Sequence, residues 1–568
     1  MSEPGSDAGG LATGGAATGG SATGGLATDR AYDTFRYDNF PAADTHPDHL
    51  HLVGSLLGVT PVAATRCRVL ELGCGRGANL VAMASVLPES TFVGVDLAPA
   101  QIADARRDAA ALGLDNVRFL ALDLVDLPVA RDLGGPFDHL ICHGVYSWVP
   151  ATVRQRILER CRTHLAPDGL AYVSYNALPG WHARGAIRSV LRRVVRPGEA
   201  PRMAADARRF LAMWREHGAV EHLEPWLSSE LDLIDDRSDR YLYFEHLVEE
   251  NTAFYLEEVV AAAAAAGLGY LGDTDLASAM PEQLGRGGPQ VIAAETDDVV
   301  AAEQLLDHLT MRSFHRSLLC HGEVVPGPRF DPRHLVAAHL VTDLRAVEGA
   351  GSAGSVGSAG SAGSAGSAGS VGSVGSAGSA GSVGFVGADG RRLEVGDPGL
   401  SRLLAALAGA GPAGSSTVAL AEEIGRPVAE TAAAVMDLFR RGQITAGSWR
   451  RPVVAVVPEQ PVAFRLARWQ AAQNRDSVTT LRHDQLRVDT LERVLLEAMD
   501  GTRDAPALEG CVRAAQDAGR LQLHMEEREV TDPEVIAELV TLKLERLHGA
   551  GLLIDPALAP EQQRPVPE

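Results

Sequence analysis

Lysine is almost missing from this 568-residue chain: Lys543 is the only one, so arginine carries nearly all of the positive side-chain charge. With the excess of Ala and Gly, this reads as a GC-rich coding bias, and arginine content by itself says nothing about a ligand. Positive charge is scarce overall, 51 basic against 73 acidic residues for a net charge of −22. That balance opposes binding to a phosphate backbone, so no nucleic-acid partner is expected. Cysteine is scarce too. Cys67, Cys74, Cys142, Cys161, Cys320 and Cys511 form no CxxC pair and show no zinc-type spacing, which predicts reduced thiols and no metal site. No run of about 20 apolar residues is present, and the alanines of 261–266 are far too few for a membrane span. The N-terminus carries Glu3 and Asp7, with no basic and apolar leader pattern. A cytoplasmic protein without a membrane partner is expected.

At 46% apolar and 22% charged residues, the chain has globular composition, and its length implies three to four domains. Residues 1–28 contain four Gly/Ala/Thr pentads and are expected to be disordered. Residues 29–185 alternate strand and helix patterns, 186–325 turn helical, and 326–390 form a linker. Within that linker, 349–388 repeats Gly-Ser-Ala or Gly-Ser-Val triplets. The repeat reads as a flexible tether of roughly 30–36 Å span between halves that move independently. Residues 391–452 carry three short helix patterns and a strand, a winged-helix-like module, and 453–568 read as a helical C-terminal domain. Arg440, Arg441, Arg450 and Arg451 make only a modest basic cluster, so the module suits protein recognition or dimerisation, with a homo-oligomer as one outcome.

Strand patterns at Arg68–Leu72, Thr91–Val95, Val117–Leu122, His139–Cys142 and Gly169–Ser174 are near-continuous apolar runs separated by helix patterns. The rhythm predicts an α/β, Rossmann-like parallel sheet covered by helices on both faces. After the first strand comes Glu71-Leu-Gly73-Cys74-Gly75-Arg-Gly77, directly before a helix. Glycines are needed where a backbone turns tightly and approaches a ligand. The second strand is followed by Asp96-Leu97, Asp96 lying 23 residues beyond Gly73, and the third by Asp123-Leu124. Three such sites at successive strand ends fall where open α/β sheets bind ligands. The E-x-G-x-G-x-G spacing argues against a nicotinamide dinucleotide, which uses G-x-G-x-x-G.

That spacing resembles motif I of class I S-adenosylmethionine (SAM)-dependent methyltransferases. The resemblance implies SAM as cofactor, Glu71, Gly73, Cys74, Gly75 and Gly77 at its methionine end, Asp96 and Leu97 at the ribose, and Asp123 and Leu124 at the adenine. The phrases HGVYSWVP (143–150) and AYVSYNALPGW (171–181) look like those of methyltransferases with a regulatory domain, including the rickettsial-type protein lysine methyltransferases. Tyr32-Asp33, the stretch Phe40–Leu50, Tyr241–His246, Glu303–Asp307 and Arg312–Leu319 also match that group. The resemblance covers about 30–325 and extends, less specifically, through the winged-helix-like module and the Asp500–Thr502 region. On it, 29–185 is the methyltransferase core with an N-terminal flap, and 186–325 is the regulatory domain. The expected reaction is methyl transfer to a nucleophile such as a protein lysine amine; a small-molecule acceptor and a SAM-sensing regulator without turnover are the alternatives.

The fourth and fifth strand ends face the acceptor in this scheme. His143 is the first candidate for a general base and also touches the cofactor side, with Tyr146 and Tyr175 as further catalytic candidates. Tyr32, Tyr37, Trp148, Asn176 and Trp181 are candidates for acceptor binding, aromatic rings suiting a cationic methylamine. Each has a plain packing alternative. From Arg154 to Arg215 there are 13 arginines against Glu159, Asp168, Glu199 and Asp206. That segment reads as a docking patch for an acidic partner or as a helical face paired within the chain.

Overall fold

The computed structural model describes residues 35, 39–217, 224–285, 287–347, 383–387, 390, 392–525, 528–559 and 562. The pentads of 1–28, the candidates Tyr32 and Tyr37, and most of the Gly-Ser repeat lie outside the described residues. Two compact units are present, one built from 38–193 with 250–568, the other from 194–249 together with Phe35. In the smaller unit, Arg208 pairs with Asp239 at 2.8 Å and Arg215 with Asp232 at 2.7 Å.

The larger unit is organised around one seven-stranded sheet. Its strands are β1 (Arg68–Leu72), β2 (Thr91–Asp96), β3 (Val117–Ala121), β4 (Phe137–Cys142), β5 (Leu165–Asn176), β6 (Leu268–Asp273) and β7 (Phe314–His321). They lie in the order β3-β2-β1-β4-β5-β7-β6. The first five pair in parallel, and β7 runs antiparallel between β5 and β6. Every residue of β4 is buried and β1 nearly so, as a sheet covered on both faces requires. The helices Ala78–Val86, Pro99–Ala111 and Ala151–His164 follow β1, β2 and β4. Pro150 is the N-cap of the last of these.

The helical reading of 186–325 needs correcting at β6 and β7, which complete the sheet. Their pattern is obscured because β7 carries His315, Arg316 and Ser317, all buried. These polar groups are tolerated because they are paired. His315 Nδ1 and Nε2 face Asp273 and Asp307 at 3.0 and 2.8 Å, and Arg312 meets Asp273 at 2.7 Å. Burial alone would raise the Asp273 carboxyl, but Arg312 and His315 hold it below the ordinary carboxylate range.

The three helices read from 391–452 are Pro398–Gly409, Thr417–Ile424 and Val428–Arg440. The strand Thr445–Gly447 pairs antiparallel with His339–Val341, and Ser415–Ser416 pairs on its other side. Beyond 459 come the helix Arg465–Ala472, a hairpin of Ser477–Thr479 with Gln485–Arg487, and the helices Thr490–Ala498, Ala505–Asp517 and Pro533–Gly549.

The expectation of two independently moving halves is overturned. Val383–Val386, at the end of the repeat, pairs with Arg345–Val347 before it and Arg392–Val395 after it. The C-terminal half then packs on the core: Asp48 Oδ1 accepts the Ser448 and Trp449 amides, Arg465 donates to the Leu112 carbonyl at 2.6 Å, and Arg475 meets Asp108 at 2.9 Å. Much of the arginine-rich segment is paired within the chain as well, Arg156 with Glu159 at 2.7 Å and Arg162 with Glu323 at 3.1 Å. No helix among the described residues is long and apolar enough to cross a membrane.

Candidate functional site

β1 ends at Leu72 and the chain turns at once into the glycine loop. Gly73 and Gly77 hold φ near 74° and 71°, a region that glycine enters without a Cβ clash. Packing forbids a side chain there too: a Cβ on Gly73 would stand 2.4 Å from Val145, and one on Gly77 2.4 Å from Phe119. The Gly73 and Cys74 amides donate to the Val95 carbonyl at 2.8 and 3.0 Å, fastening the loop to β2. Asn39 spans the loop from upstream, its Nδ2 donating to the Cys74 carbonyl at 3.4 Å and its Oδ1 accepting the Ala78 amide at 2.8 Å. Cys74 itself is buried, and burial pushes its thiol well above the usual range, as for a structural rather than a reactive cysteine.

Asp96 closes β2 and accepts the Gly75 amide at 2.8 Å on Oδ2 and the Ala98 amide at 2.9 Å on Oδ1. The next residue, Leu97, is 53% exposed despite its apolar side chain. Beyond β3, Asp123 is exposed and accepts the Val125 amide at 2.9 Å, while Leu124 is buried. Glu71 is buried; Asn79 Nδ2 donates to its Oε1 at 3.0 Å, and its Oε2 has no partner. Burial pushes this carboxyl up to about 8, with Asp96 adding to the rise. Because β1 pairs in parallel with β2 and β4, and β2 with β3, all these groups emerge at one edge of the sheet.

His143 follows β4 on the same edge. Its Nδ1 lies 3.0 Å from the Tyr172 hydroxyl and 3.2 Å from Ser174 Oγ, both on β5. Burial holds the imidazole down to about 4, with Asp44 opposing and Arg316 adding to the fall. Asp44 and Arg316 pair at 2.6 Å, and Phe314 stands edge-on to His143 with ring centres 6.3 Å apart. Tyr172, Ser174, Asp44, Phe314 and Arg316 were not singled out from sequence. Tyr172 and Ser174 were nonetheless inside the phrase 171–181, and a period of two along β5 puts both on one face.

The same period splits the three catalytic candidates. Tyr175 points to the face opposite Tyr172, where its hydroxyl meets Ser317 Oγ at 2.9 Å. Tyr146 lies on that far face as well, with ring centres 6.1 Å from Tyr175 and 5.5 Å from Phe254. His143 is therefore not brought together with Tyr146 and Tyr175. Trp148 is half-buried in the turn Tyr146–Trp148. Asn176 is buried, its Nδ2 donating to Asn251 at 2.9 Å. Trp181, at the start of the helix Gly180–Val194, is buried with no partner for its indole N–H. Among the described residues no group of His, Cys, Asp and Glu suits a metal ion.

Comparison with known proteins adds three family matches. Residues 69–169 match a methyltransferase domain, 238–321 a predicted methyltransferase regulatory domain, and 459–551 the PKMT C-terminal winged helix domain. The last lies beyond the winged-helix-like module read at 391–452, in a stretch read only as helical. The uncharacterized protein RP789 of Rickettsia prowazekii is 36% identical over 301 residues, 52% of this chain and 53% of that one. This chain thus spans about half the length of that relative. RP028 of the same organism is 33% identical over 233 residues, 40% of this chain and 92% of that one. The structure of PKMT2 from Rickettsia typhi in complex with AdoHcy aligns at a TM-score of 0.77 and 25% identity, covering 91% of this chain and 99% of that one.

Proposed function

Since this chain belongs to the rickettsial-type family of protein lysine methyltransferases, a class I core with regulatory and winged-helix domains, we propose that it moves a methyl group from SAM to a lysine amine of a protein. The observation that carries this reading is the convergence of Glu71, the glycine loop, Asp96, Asp123 and His143 at one sheet edge. SAM supplies a methyl group on an already activated sulfonium, so the protein's task is alignment and desolvation.

The residues suit that nucleoside. The orphaned, buried Oε2 of Glu71 fits the cationic amino-acid end beside Gly73, Gly75 and Gly77, with Cys74 contributing backbone. Asp96, fastened to the glycine loop at the end of β2, is the acceptor for the ribose hydroxyls, exposed Leu97 offers an apolar face, and Asp123 with the Leu124 amide reads the adenine edge. His143 serves the acceptor. With Nδ1 engaged by Tyr172 and Ser174 and the ring neutral, Nε2 remains to take a proton from an incoming ammonium. Tyr172 and Ser174 orient it. Tyr146 and Tyr175 support the strand end from the far face, and Trp148, Asn176 and Trp181 shape the exit of β5. Action in the cytoplasm on a protein acceptor is part of this reading.

Incubating the purified chain with methyl-labelled SAM and a bacterial lysate tests it. Label recovered as methyl-lysine from polypeptide is the expected result; label only on small molecules, or none at all, rejects the assignment.

A further inference from the structure

The hairpin Ser477–Arg487 of the C-terminal half reaches the methyltransferase core through His483. His483 stands in the five-residue loop 480–484 between the hairpin's strands, is buried, and lies 2.7 Å through Nε2 from Asn79 Oδ1. Asn79 is the second residue of the helix that leaves the glycine loop. We propose that His483 is a positioning residue for the cofactor site, donating to Asn79 and, through it, fixing the carboxyl group of Glu71. The proposal rests on the reading that the glycine loop holds SAM.

Hydrogen-bond accounting settles the direction of the relay. The Ala42 amide can only donate, and it donates to Asn79 Oδ1 at 3.1 Å. The Asn79 oxygen therefore faces Ala42 and His483, and its NH2 faces Thr45 and Glu71, each at 3.0 Å. An oxygen acceptor requires the proton of His483 on Nε2. Burial holds that imidazole down to about 3, so it stays neutral and keeps one tautomer. On Glu71, donation from Asn79 occupies Oε1 and designates Oε2 as the open oxygen. The winged-helix hairpin thus decides which carboxyl oxygen the cofactor end of the loop presents.

Backbone geometry supports a role beyond filling space. His483 has φ of 63°, in the left-handed region that glycine enters freely and other residues enter with strain. The chain puts an imidazole where a glycine would relax the turn. His46, the N-cap of the helix Pro47–Leu56, packs against it with ring centres 5.0 Å apart and stacks on Trp449 from its other side. The imidazole is held from several directions while its donor points at Asn79.

The test uses the full chain with His483→Ala, His483→Gly and His483→Gln. Glycine suits the left-handed turn, and glutamine restores an N–H donor at similar reach. Two quantities are read: SAM affinity by calorimetry, and amide exchange across 71–79 without SAM. In the Ala and Gly variants affinity should weaken about fivefold to tenfold and exchange should quicken, with kcat at saturating SAM unchanged. Glutamine should restore both to within about twofold of wild type. Unchanged exchange and affinity in the Ala and Gly variants, or a Gln variant as impaired as Ala, would overturn the proposal. A wild-type chain that bound no SAM would reject the cofactor reading, while the exchange data would still decide the relay.

Discussion

Asp96 and Gly75 meet across the edge of the sheet at 2.8 Å, the last carboxylate of β2 accepting an amide of the glycine turn that follows β1. One side chain thereby fastens the loop to the end of β2. Replacing Asp96 with alanine is expected to abolish SAM binding with the fold intact. Hydrogen bonds to a charged group are worth about 1.5–3 kcal/mol each, so losing two ribose contacts exceeds about 100-fold. Calorimetry with circular dichroism checks this; unchanged affinity would refute the ribose assignment.

Gly77→Ala is expected to destabilise the core by about 2–4 kcal/mol, combining a left-handed φ with overpacking against Phe119. Urea melts report it. A midpoint equal to wild type would show that Phe119 yields easily and that the loop is not tightly packed.

His143→Gln should lower kcat about 100-fold, the lower range for loss of a general base, without changing SAM affinity. Steady-state kinetics on the labelled acceptor decides the matter. A variant with wild-type kcat would leave His143 as a strand-end packing residue.

The same histidine makes stability depend on pH. Its folded value is about 4 against an ordinary 6.5. Between pH 6.5 and 4 the unfolded chain binds a proton that the folded chain refuses, so this group weakens the fold as pH falls. Removing it should raise the stability of His143→Gln relative to wild type by up to about 3 kcal/mol on going from pH 7 to 4, at ~1.4 kcal/mol per unit. A difference in denaturation midpoint that stayed constant with pH would contradict the burial argument.

Arg312 meets Asp273, the last residue of β6, at 2.7 Å. Arg312→Met leaves a buried carboxylate short of a partner, and about 3–5 kcal/mol of stability should go with it. A thermal melt within a degree of wild type would mean that His315 suffices alone.

The sheet edge that carries the glycine loop was legible in the sequence. Glu71 and Asp96 stand within the last two residues of short apolar strands and Asp123 just beyond a third, and strand-end position follows from local pattern alone. The surroundings of His143 were only half legible. His143 lay at a strand end, but its partners Tyr172 and Ser174 were passed over for Tyr175, because the face to which an odd or even residue of β5 points depends on what packs there. β7 was hidden for a related reason: its buried His315 and Arg316 look like surface residues until Asp273, Asp307, Asp44 and Asp275 are seen to pair with them.

The order of strands and glycines along the chain therefore determined that a glycine turn and carboxylates gather at one sheet edge, since each element reports on its own few residues. Only the tertiary structure decided that the repeat's flanking strands pair and that His483 meets Asn79 across 404 residues of chain. No local periodicity encodes a contact whose energy exists only after both surfaces are folded.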